Sequence, residues 1–121
     1  MLDAKTQQHL TAVRARTQVE ISIRLAPEAI KAPPGRPDQL PQVEKETWDR
    51  LADLARKALA PFADQGLRIL RAEKSPLGLI VAGPASAWLA FIDAEKALVA
   101  DPALVFCQYQ RPMIIHGTKF V

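Results

Sequence analysis

Between Gln18 and Ala26 the chain reads QVEISIRLA, with Val19, Ile21, Ile23 and Leu25 alternating against Gln18, Glu20, Ser22 and Arg24. A period of two with β-branched residues on one side defines a strand that buries a single face. Such a strand needs partners beside it and a layer over its apolar side, so everything downstream must supply a sheet and its cover. Pro27 ends the strand. Residues 27–42 form a connector holding Pro33, Pro34, Pro37 and Pro41, which can neither continue a ladder nor sustain a helix.

From Val43 to Ala63 the period becomes helical, and Trp48, Leu51, Ala55, Ala58, Leu59 and Phe62 make one apolar stripe. Gly66 is placed to terminate this helix. Leu67–Glu73 and Leu77–Gly83 are two short β-type runs separated by Lys74-Ser75-Pro76, a spacing that predicts a hairpin. Between Pro84 and Asp101 the residues Trp88, Phe91, Ile92, Leu98 and Val99 share a second helical face, capped at Ser86 or at Asp93. Asp101-Pro102 stops it, and Ala103–Tyr109 is the last strand. The order strand, helix, strand, strand, helix, strand predicts an α+β, ferredoxin-like βαββαβ domain over 18–112. Its four-stranded antiparallel sheet carries both helices on one face. Residues 1–17 remain outside it as a polar N-terminal segment with no assigned role, and 113–121 as a C-terminal tail.

This fold leaves one sheet face without cover from its own helices. Either Leu104 and Phe106 or Val105 and Tyr109 must point there, and large apolar groups on an open face make a docking surface for a partner or a second copy.

Catalytic and cofactor signatures are missing. Cys107 is the one cysteine, so no internal disulfide or CxxC motif exists, and its place in the last strand reads as a small buried hydrophobe. His9 and His116 lie in the terminal segments, and no glycine-rich phosphate loop occurs. Asp49/Asp53 and Asp93/Glu95 sit at helical spacing as solvated or capping groups. No cofactor, no metal and no enzymatic activity are expected. The net charge of +3 is spread along the chain, without the basic stripe and interleaved aromatics of a nucleic-acid surface. No apolar run reaches the roughly 20 residues of a membrane span and no secretory h-region opens the sequence, which makes a cytoplasmic location the expectation.

One local pattern goes further. Residues 94–106, AEKALVADPALVF, followed by Gln110-Arg111-Pro112, resemble the end of the subtilisin-propeptide (inhibitor I9-type) family, and Val19–Leu25 resembles its opening strand. The resemblance implies a protein-binding module whose partner is a subtilisin-like serine protease. The open sheet face would pack on the protease surface, and the tail would enter the active-site cleft as an added strand. It implies Leu104 and Phe106 as sheet-face contacts and Met113, Ile115, Phe120 and Val121 as tail contacts. The alternative is a small ferredoxin-like oligomer or adaptor that uses the same face for self-association as a homodimer, or for ligand sensing.

Overall fold

The computed structural model describes residues 1–26, 38, 40–74 and 77–109. Helix α1 (Ala4–Ala12) precedes strand β1 (Gln18–Leu25); helix α2 (Leu40–Leu59) continues into a 3-10 turn (Ala60–Gln65). The hairpin of β2 (Arg68–Lys74) and β3 (Leu77–Pro84) leads into α3 (Ala85–Ala94), the helical turn α4 (Lys96–Val99) and β4 (Leu104–Gln108). The sheet order is β2-β3-β1-β4, and every neighbouring pair is antiparallel. This is the split βαβ arrangement expected from the order of periodicities.

One face of the sheet carries the core. Val19, Ile21, Ile23, Leu79, Val81, Leu104 and Phe106 pack against Trp48, Leu51 and Ala55 of α2 and Trp88 and Phe91 of α3. Phe91 meets both Trp88 and Phe62 edge-on, with ring centroids 5.9 and 5.5 Å apart, a geometry that aligns ring edges with ring faces. The Trp88 indole N–H donates to the Val19 carbonyl at 3.0 Å, so the helix is tied to the sheet by a satisfied polar group.

Helix boundaries follow from backbone chemistry. Helix α2 gives way at Leu59 because Pro61 has no N–H to donate back, and Gly66 at φ 103° closes the following turn. Helix α3 starts at Ala85, so neither Ser86 nor Asp93 is its N-cap. Its first amides are satisfied from outside: Ala85 N donates to the Thr17 carbonyl at 2.9 Å and Ser86 N to the Ala15 carbonyl at 3.0 Å.

The N-terminal residues belong to the same packed unit. The Asp3 carboxylate caps α1 by accepting from Thr6 N at 3.2 Å, and Leu10 is buried in the core. Leu2 makes a parallel bridge to Phe106, with Asp3 N donating to the Phe106 carbonyl at 2.9 Å and Phe106 N to the Met1 carbonyl at 3.1 Å. Gln108 N donates to Thr6 Oγ1 at 2.7 Å. The outer edge of β4 is thereby covered, while β2 forms the other edge.

Candidate functional site

The register assigns the face opposite the helices. Its residues form three rows across the sheet in the order β2, β3, β1, β4. The first is Glu73, Gly78, Arg24 and Val105; the second is Arg71, Ile80, Ser22 and Cys107; the third begins Arg68, Ala82 and Glu20. Tyr109 follows β4 and donates its N–H to the Glu20 carbonyl at 2.8 Å, which adds it to the third row.

Leu104 and Phe106 are not on this face. They pair with Leu25 and Ile23, whose side chains point into the core, and are 0% and 1% exposed. Their assignment as sheet-face contacts is therefore corrected: Val105, Cys107 and Tyr109 point outward instead, each half-buried. Cys107 is a free thiol there rather than a core residue. Met113, Ile115, Phe120 and Val121 lie outside the described residues.

Nor is the face a bare apolar patch. Arg24 on β1 donates to Glu73 Oε1 on β2 at 2.6 Å, and Arg71 Nε approaches Glu73 Oε2 at 3.4 Å. Arg71 then donates to the Tyr109 hydroxyl at 2.9 Å, with its guanidinium carbon 5.2 Å from the ring centroid. Arg71 and Tyr109 stand at opposite edges of the sheet, so their side chains together bridge the two central strands. Ile80, paired with Arg71 in the central row, is 0% exposed on a face that no described helix covers.

Gly78 permits this arrangement. A Cβ there would lie 2.7 Å from an Arg24 guanidinium nitrogen, 3.1 Å from Arg24 Cγ and 3.2 Å from the Ile23 carbonyl. Only a residue without a side chain lets Arg24 cross β3 to reach Glu73. The hydrogen bond from Arg24 holds the Glu73 carboxyl below its ordinary pKa, against some desolvation, and Arg71 adds to the effect.

Other polar groups have simpler roles. Asp49 pairs with Lys45 at 2.9 Å, Asp53 with Lys57 at 3.0 Å and Asp93 with Lys96 at 3.5 Å, all exposed one helical turn apart. No cluster of three metal-ligating side chains occurs among the described residues, and no helix among them is long and apolar enough to cross a membrane. The polar chain Arg24–Glu73–Arg71–Tyr109 went unseen in the sequence. Its members lie 85 positions apart at the extremes, and only the polar side of β1 hinted at it.

Comparison with known proteins returned no match to a family model, a curated protein or a solved structure.

Proposed function

We propose that this chain is a non-catalytic protein-binding module that docks through the helix-free face of its sheet, and that its partner is a subtilisin-like serine protease. The observation that carries the reading is a four-stranded face with no helix over it among the described residues, presenting Val105, Cys107 and Tyr109 at one side and Arg68 and Arg71 at the other. Half-buried aromatic and aliphatic groups beside arginines are the composition of interface centres. The ferredoxin-like order and the 94–112 pattern supply the kind of partner, because propeptides of that family are similar in fold and dock by this face.

Inhibition of a panel of subtilisin-like proteases by the purified protein tests the proposal. Inhibition is expected to weaken about tenfold or more in the double variant Val105→Glu/Tyr109→Ala, which leaves the helix-side core intact. Deleting 113–121 is expected to weaken it as well. A panel untouched by the intact protein overturns the reading, as does inhibition that the double variant leaves unchanged.

A further inference from the structure

The two edges of the sheet are treated differently. The β4 edge is filled by residues 1–3, but no described residue pairs with the outer edge of β2. That edge strand reads RILRAEK and is exposed along most of its length. A register shift between Ile69 and Arg71 breaks its pairing with β3, and Arg71–Lys74 beyond it is regular. An open edge offers unpaired backbone donors and acceptors at every second residue. The question is what its side chains would accept there.

Arg71 and Glu73 stand two residues apart on the same face of the strand. Suppose β2 meets its own copy antiparallel, about a two-fold axis through one residue. Residues of equal parity then oppose each other, so outward backbone groups meet outward backbone groups. Centring on Arg71 sets that arginine against itself, and centring on Glu73 opposes two carboxylates. Centring on Ala72 sets Arg71 against Glu73 twice, with a small side chain at the axis. Opposite charges directly across a ladder stabilise it and like charges oppose it. Of these three registers, only the last is complementary.

We propose that β2 pairs antiparallel with β2 of a second copy about a two-fold axis through Ala72, Arg71 of each chain facing the partner's Glu73. The axis is normal to the sheet, so both open faces lie on one side of a continuous eight-stranded sheet and both helix layers on the other. On the helix side, an open groove of about 940 Å³ runs between α2 and β2, with Trp48, Ala52, Ala72 and Leu77 among charged residues such as Lys45 and Arg56. The second copy would close its open flank. This edge pairing is separate from docking by the sheet face and does not rest on it.

Sedimentation equilibrium of the intact chain over a wide concentration range provides the test. The expected species is a dimer at twice the 13.3 kDa chain mass. Arg71→Glu and Glu73→Arg are each expected to weaken dimerisation about tenfold or more, since each sets like charges opposite one another twice. Mixing the two variants restores opposite charges at both positions, so an equimolar mixture is expected to dimerise as the native chain does. Circular dichroism of each variant confirms that it is folded. A native chain that stays monomeric throughout overturns the proposal. So does a dimer that both variants preserve, or a mixture of folded variants that does not associate.

Discussion

The two faces of this sheet are built on opposite principles. The helix-covered face is apolar and closed: Ile21, Ile23, Leu79, Val81, Leu104 and Phe106 sit under Trp88 and Phe91 with essentially no exposure. The other face buries Ile80 just as completely, yet it also carries a connected chain of polar side chains from Arg24 through Glu73 and Arg71 to Tyr109. Close packing fixes the first face in a single arrangement. The polar chain on the second is part-buried, with about a quarter of the Arg24 and Glu73 side chains exposed. The core cluster lies on one side of the sheet, and the proposed docking surface lies on the other.

Substitutions that treat the two faces alike sharpen this contrast. Phe106→Ala removes a ring packed in the core and is expected to cost about 3–5 kcal/mol in urea unfolding. Its neighbour Val105→Ala, on the half-buried open face, should cost less than about 1.5 kcal/mol. Equal losses at the two positions would break the comparison. Gly78→Ala is expected to cost about 1–3 kcal/mol, because the new methyl displaces Arg24 and crowds the Ile23 carbonyl. Its signature is loss of the Arg24–Glu73 pairing, visible as a Glu73 carboxyl titrating nearer its ordinary value by NMR.

The smallest effect is electrostatic and has a definite sign. Glu73 is held below its ordinary pKa in the folded chain, so its ionised form stabilises the fold above the unfolded-state value. That contribution fades as the pH falls from the ordinary carboxylate range through the depressed folded value. Glu73→Gln is therefore expected to lower the melting temperature slightly at neutral pH and to converge with the native chain in acid. A difference that grows on acidification would contradict the assignment.

The order of the main elements from β1 to β4 was legible largely through periodicity, from the alternation of Val19, Ile21 and Ile23 to the stripe of Trp48, Leu51 and Ala55. The sides of β4 were not. Alternation separates Leu104 and Phe106 from Val105, Cys107 and Tyr109, but the burial of one set depends on register with β1, and a one-residue slip exchanges the faces. The start of α3 was hidden for a related reason, since its amides bond to the carbonyls of Ala15 and Thr17 rather than to a capping side chain. Residues 1–12 look polar and weakly periodic, and Leu10 reveals its role only once β4 presents an edge for the segment to cover. The open-face polar chain depends on cross-strand neighbours, which no local pattern encodes.

The central claim, that the helix-free face is the docking surface, is tested most directly by amide NMR of the intact chain titrated with a subtilisin-like protease whose catalytic serine has been replaced. Resonances of Ser22, Arg24, Arg71, Cys107 and Tyr109 are expected to shift or broaden, while the solvent sides of α2 and α3 stay unchanged. Perturbations confined to the helix layer, or none at equimolar protease, would contradict it.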